Sequence, residues 1–205
     1  RILDLIKTGL STTDQIELTR LPDEDPQAHR LLAQSYDLFL KGDFKGALLL
    51  CEKIKKIDPE NRNLYKRLGN VYDRLGDRDK ALSAYFKYAE LCKKSNDLRN
   101  LFNAYINIGG MIQMMGDEDL AYKYFQTALQ GALVSGFSYE TAKAYTLMGS
   151  WYVKKKDFVK AKELFFKSIE INKENLPDEN HLYYLAANYN ELGVTFENEQ
   201  NYSEA

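Results

Sequence analysis

The chain has 205 residues, with 28 Lys+Arg against 30 Asp+Glu and a formal net charge of −2. That balance lacks the basic excess that marks a nucleic-acid-binding protein, and 44% apolar with 28% charged residues is globular composition, not disorder. No apolar run reaches the roughly 18–20 residues that a membrane-crossing helix needs, while 15 Tyr and 10 Phe against 4 Pro point to long helices packed by aromatic rings.

The first residues carry Ile2, Leu3, Leu5 and Ile6 at helical spacing, but Asp4 and Lys7 interrupt them and no signal peptide results. Thr8-Gly9 ends this segment, and Ser11 to Asp14 can cap a second short helix through Leu18. Leu21-Pro22-Asp23-Glu24-Asp25-Pro26 then reads as an acidic linker bounded by prolines. Residues 1–27 are expected to be a helical cap over the exposed edge of the segment that begins at residue 28; the tail of an upstream domain is the alternative.

From residue 28 onward the chain repeats itself. Alanines 47, 81, 121, 161 and 205 each follow a short turn-forming group, and they stand 34, 40, 40 and 44 residues apart. Twelve residues before each lies Ser35, Gly69, Gly109, Gly149 or Gly193, and sixteen before lies Leu31, Tyr65, Tyr105, Tyr145 or Tyr189. Four after the first four lies Cys51, Tyr85, Phe125 or Phe165. The apolar positions fall in two helical blocks per unit, so each unit is predicted to be a helical hairpin. The turn Gly can take the left-handed conformation that ends the first helix, and the Asp after it can cap the second. The small residue and the alanine are expected to face each other and let the two backbones approach. The units run 28–61, 62–101, 102–141 and 142–185, with a partial fifth at 186–205.

This pattern resembles the tetratricopeptide repeat, or TPR. The second unit carries Tyr65, Leu68-Gly69, Tyr72, Gly76-Asp77, Ala81 and Tyr85; the third carries Tyr105, Ile108-Gly109, Gly116-Asp117, Ala121, Phe125 and Ala128. The fourth carries Tyr145, Met148-Gly149, Tyr152, Asp157-Phe158, Ala161 and Phe165, and the looser first unit keeps a closing Pro59. The resemblance implies an all-α fold, a right-handed α-solenoid of antiparallel helix pairs with about four and a half repeats. Two departures bear on it. Lys156 and Gln200 stand where a turn Gly belongs, so those turns either carry left-handed strain of about 1–2 kcal/mol or use another geometry. The later units are longer than 34 residues, and the extra residues, as in Leu91–Asp97 and Leu133–Gly136, are expected to lengthen the second helices. Such lengths are similar to those of kinesin light chains, spindle-orientation adaptors and bacterial peptide-sensing regulators. The fifth unit stops just inside its second helix, and the expectation drawn from that is a longer parent protein.

Chemistry of catalysis or metal binding is not expected. His29 and His181 are the only histidines, have no paired spacing, and are expected at the surface. Cys51 and Cys92 form no disulfide framework or metal pattern and are expected to be buried apolar residues. They favour a reducing compartment, with the cytoplasm as the expected location. No cofactor is expected.

In the resembling family the first helices line a binding groove. Carried onto this chain, that places Tyr36 in the first unit, Asn63, Lys66, Asn70 and Arg74 in the second, and Asn103, Ile106, Gln113 and Met114 in the third. It places Lys143, Ser150 and Lys154 in the fourth unit and Asn190 in the fifth. Asn side chains donate and accept together and suit a peptide backbone; Lys66, Arg74, Lys143 and Lys154 favour an acidic ligand. The clamp by which chaperone-binding TPR domains hold a C-terminal carboxylate does not form, because Gly110, Thr146 and Ser150 stand where Asn, Lys and Arg are needed. The expected function is a non-enzymatic scaffold binding a protein or peptide. The alternative is a regulatory or sensory module whose kinase- or cyclase-type domain lies outside this sequence. Self-association through an uncovered C-terminal edge is a further expectation, and nucleic acid is not an expected partner.

Overall fold

The computed structural model describes residues 25–203, and among them are nine α-helices and no strand. The elements expected within residues 1–24, and Ala205 of the fifth unit, lie outside the described residues. The chain divides into two compact units, Arg1–Ser95 and Asn96–Ala205.

The first unit holds α1 (Pro26–Leu40), α2 (Phe44–Ile57), α3 (Arg62–Arg74) and α4 (Arg78–Lys94). Their starts follow from capping chemistry. The Asp25 carboxylate accepts from the Gln27 and Ala28 amides at 2.8 and 3.0 Å, with Pro26 in the first turn where no N–H is needed. Asp43, Asn61 and Asp77 open the other three helices in the same way. The helices pack in pairs around Ala28, Leu32, Cys51, Ile54, Leu64, Leu68 and Ala84. Both cysteines, Cys51 and Cys92, are fully buried here. Ser35 supplies the small residue of the first hairpin, and its hydroxyl donates to the Ala47 carbonyl at 3.2 Å.

The second unit holds α5 (Leu98–Met114), α6 (Glu118–Ser135), α7 (Ser138–Lys154), α8 (Phe158–Glu174) and α9 (Glu179–Ser203). Asp117 and Asp157 cap α6 and α8 as the register predicts. Gly116 takes φ +101, and at the matching turn Lys156 takes φ +61, so the lysine adopts the left-handed conformation itself. The only tryptophan, Trp151, lies on α7 and donates its indole N–H to the Glu118 carbonyl at 2.9 Å.

The seams between paired helices refine the sequence reading. Ala47, Ala81, Ala121 and Ala161 are all fully buried. What fills the space above Gly69, Gly109 and Gly149 is the ring four residues beyond the alanine. A Cβ on Gly109 would stand 2.5 Å from Phe125 Cε1 and 3.1 Å from the Ala121 carbonyl oxygen; Gly69 faces Tyr85 and Gly149 faces Phe165 in the same way.

Two expectations are corrected. The extra residues of the long units do not all extend second helices: α4 ends at Lys94, Asn96 turns the chain at φ +53, and Asp97 caps α5 through the Asn100 amide at 3.1 Å. The surplus is shared between second helices of 17 and 18 residues and first helices of 17. The turn expected at Gln200-Asn201-Tyr202 is also absent, since α9 runs unbroken for 25 residues through Ser203. A turn of this kind is held by a second helix folding back on the first. A Cβ on Gly193 would have nothing within 4 Å, and Tyr189 and Phe196 on α9 are half exposed.

Candidate functional site

In the first unit, α1 and α3 are the first helices of successive hairpins, and a cleft of about 260 Å³ lies between them. His29, Leu32, Ala33 and Tyr36 line it from α1; Asn63, Lys66, Arg67 and Asn70 line it from α3. These positions recur every three or four residues, so each helix presents one continuous face. Four of the residues expected from sequence, Tyr36, Asn63, Lys66 and Asn70, thus come together. Arg74, a turn beyond, is exposed and stacks its guanidinium 5.1 Å from the Phe44 ring centroid.

The cleft is fixed from behind. The Tyr85 hydroxyl on α4 donates to Asn70 Oδ1 at 2.7 Å, and burial, with the Asp73 charge adding to it, pushes that phenol's pKa far up so that it stays a donor. Arg67 lies over the Tyr36 ring, 4.5 Å from its centroid, and 5.3 Å from that of Phe39. Burial pulls the Arg67 pKa down, although a guanidinium remains charged. Sequence reasoning missed Arg67. The available signal was its place in α3, three residues after Leu64 and four before Val71, where a helical apolar stripe should carry no charge.

The candidate residues of the second unit are more engaged with each other. Lys143 Nζ donates to Asn103 Oδ1 and Asn107 Oδ1 at 3.4 and 3.3 Å, joining α7 to α5. Lys154 pairs with Glu118 at 2.7 Å, and Gln113 Nε2 donates to the same carboxylate at 3.1 Å. Burial raises the Glu118 pKa, but hydrogen bonds from Lys154 and Gln113 outweigh it and hold the carboxyl below its ordinary value. The charge that sequence assigned to an acidic ligand at Lys154 is therefore already met by Glu118. Ser150 Oγ lies within hydrogen-bond reach of both the Thr146 carbonyl, at 3.2 Å, and Glu191 Oε2 on α9, at 3.3 Å, and its single proton serves one of them at a time. Met114 and Asn190 are exposed. Ile106 is corrected: only 1% exposed, it belongs to the core, on the same face of α5 as buried Phe102 and Gly109, one turn before and after it.

Both histidines also depart from expectation, at 5% exposure for His29 and 6% for His181. His181 belongs to a buried polar cluster that ties α7, α8 and α9 together. Its Nδ1 lies 2.8 Å from Asn172 Oδ1, Asn172 Nδ2 donates to the Ser168 carbonyl, and Ser168 Oγ accepts from Asn188 Nδ2 at 2.8 Å. Thr146 Oγ1 donates to Asn188 Oδ1 at 2.9 Å. Because the Asn172 amide N–H₂ is turned to Ser168, its oxygen faces the ring, and a neutral His181 carries its proton on Nδ1. These groups satisfy one another inside the helix stack. Among the described residues, no group of three His, Cys, Asp or Glu side chains is arranged to hold a metal ion, and no helix is long and apolar enough to cross a membrane.

Comparison with known proteins agrees with this architecture. Two family models, each described as tetratricopeptide repeat, match residues 64–99 and 100–174. The chain belongs to the tetratricopeptide repeat family. Among solved structures it resembles BtubC from P. vanneervenii, at 18% identity and a TM-score of 0.63, over 84% of this chain and 75% of that one. It resembles RapI in its apo form at 16% identity and a TM-score of 0.67, over 87% and 73% of the two chains. A signal-transduction ATPase from Pyrococcus horikoshii with a tetratricopeptide repeat sensor matches at 18% identity and a TM-score of 0.68; the match covers 95% of this chain but 30% of that one. At these identities the likeness is one of fold. No curated protein sequence matches the chain.

Proposed function

We propose that this protein is a binding module without catalytic activity of its own, and that it holds an extended peptide or protein segment along the first helices of its repeats. The observation that carries this reading is the cleft between α1 and α3. It gathers an apolar wall, two asparagines and two basic side chains on the faces of consecutive first helices. The asparagine amides suit a peptide backbone, and the basic groups favour an acidic segment. Within the second unit, Lys143 with Asn103, and the exposed Met114 and Asn190, are the residues proposed for contact. The net charge of −2 argues against nucleic acid as the ligand. The cytoplasm is the proposed location, where Cys51 and Cys92 would stay reduced. Pairing of two copies through Tyr189 and Phe196 of α9 would be a separate contact, visible as a concentration-dependent mass in sedimentation.

The test is selection from a displayed peptide library against the whole chain, followed by calorimetry on the selected sequences. Tyr36→Ala combined with Asn63→Ala should abolish their binding. Recovery of no peptide, or peptides indifferent to that double change, would overturn the reading. A second reading, supported by the sensor repeats of the P. horikoshii ATPase, makes the same face the input of a larger regulatory protein with a kinase- or cyclase-type domain. A full gene product lacking any such domain would remove it.

A further inference from the structure

We infer that Arg67 is the recognition residue of the α1–α3 cleft, and that the group it receives is the carboxylate of an Asp or Glu inside an extended peptide. The inference rests on the binding function proposed above and names its ligand chemistry. Arg67 is half-buried, yet among the described residues it forms no ion pair with any carboxylate. The groups acting on it are aromatic rings and the weakly ionising Cys51, Tyr36 and Tyr85. Its Nε–H is buried and has no acceptor. A buried donor left unmatched is costly, and a buried cation more so unless it is paired. Stacking on Tyr36 and Phe39 offsets part of that cost and holds the planar fork in place, but a ring face offers no oxygen for the N–H groups. A carboxylate does, with two oxygens at the spacing of the guanidinium fork.

The setting favours a carboxylate from the middle of a chain over one from its end. Among the described residues, no Asp or Glu lines the cleft. Asn63 and Asn70 stand seven residues apart on α3, which along a helix is about 10 Å. That length spans about three residues of extended peptide. Arg67 falls between the two amides, so a peptide whose backbone meets both carries its middle side chain to the guanidinium and continues past on either side. This arrangement is distinct from the chaperone-tail clamp, whose residues this chain lacks and whose positions do not include that of Arg67.

The experiment uses the whole chain and a library of dodecamers displayed internally, so that no peptide has a free carboxyl terminus. Peptides selected on the wild-type protein should align on one Asp or Glu. Changing that residue to Gln or Asn should weaken binding about ten- to a hundredfold, as the loss of a charge-assisted bond implies. Arg67→Gln should cause a similar loss, and the two changes together should cost little more than either alone. Selection repeated on Arg67→Gln or Arg67→Met should still recover peptides, now without the acidic preference. Arg67→Met keeps an apolar stem against Tyr36 and should retain the wild-type melting curve by circular dichroism. The inference is overturned if wild-type peptides show no fixed acidic position, if the preference survives in both variants, or if only peptides with a free C-terminal carboxylate bind. A wild-type selection that recovers nothing, or nothing sensitive to Tyr36→Ala with Asn63→Ala, instead removes the underlying binding function.

Discussion

The ring of Tyr85 occupies the space that a side chain on Gly69 would need, and the hydroxyl of the same residue donates to Asn70 Oδ1 at 2.7 Å. One residue thereby closes the seam of the second hairpin and orients an amide of the cleft. At the equivalent places Phe125 and Phe165 close the seam against Gly109 and Gly149 but have no hydroxyl to offer. Tyr85→Phe should therefore preserve the packing and remove the bond. We expect a stability loss of about 0.5–1.5 kcal/mol in urea denaturation, together with weaker binding of selected peptides. Unchanged affinity would mean that Asn70 needs no support from Tyr85.

Two adjacent glycines should respond with opposite signs. A Cβ on Gly109 would press on Phe125, a rigid ring, and on the Ala121 carbonyl, whereas one on Gly110 would meet nothing within 4 Å. Gly109→Ala should cost about 1–3 kcal/mol from overpacking, more than helix propensity returns. Gly110→Ala should stabilise α5 by about 0.5–1 kcal/mol. Equilibrium denaturation of the two variants measures both, and equal effects would contradict the seam geometry.

Lys156 holds a conformation that elsewhere in these hairpins belongs to Gly42, Gly76 and Gly116. The left-handed conformation costs a residue with a side chain about 1–2 kcal/mol, and the greater freedom of glycine in the unfolded chain takes back part of that. Lys156→Gly should therefore raise stability by about 0.5–1 kcal/mol. A raised melting temperature is the expected result, and a lowered one would show that contacts of the lysine outweigh its backbone strain.

Acid should weaken the second unit through His181. Burial lowers the pKa of this ring, against the opposing pull of the nearby Asp178 carboxylate, while the uncharged Tyr139 ring packs edge-on against it. A folded-state pKa below the unfolded value means that the neutral form is the one the fold accepts. Its contribution is fully present above the unfolded value, about 6.5, and is lost as pH falls through that value toward the lower folded one. Denaturation midpoints should drop across that interval in the wild type and drop less in His181→Gln. Identical pH profiles would exclude the histidine as the cause.

The repeat and its capping were legible because each rests on local chemistry. Asp43, Asp77, Asp117 and Asp157 cap helices from within three residues, and the spacing of Gly109, Ala121 and Phe125 is fixed by one hairpin. What escaped depends on contacts distant in sequence. His181 is buried because Asn172 and Tyr139 receive it. Ile106 shares its helix face with core residues. Lys154 is matched by Glu118, 36 residues away. Arg67 was overlooked for a different reason: a charge within an apolar stripe reads as noise until the rings beneath it are seen.

The placement of Trp151 on α7, and of both thiols in Arg1–Ser95, equips the protein with two native spectroscopic and chemical reporters. Indole emission will follow the loss of the Glu118 bond in one half, while alkylation of Cys51 and Cys92 will follow opening of the other. Cooperative melting of the array would make both signals move together; separate melting would split them, with no label introduced.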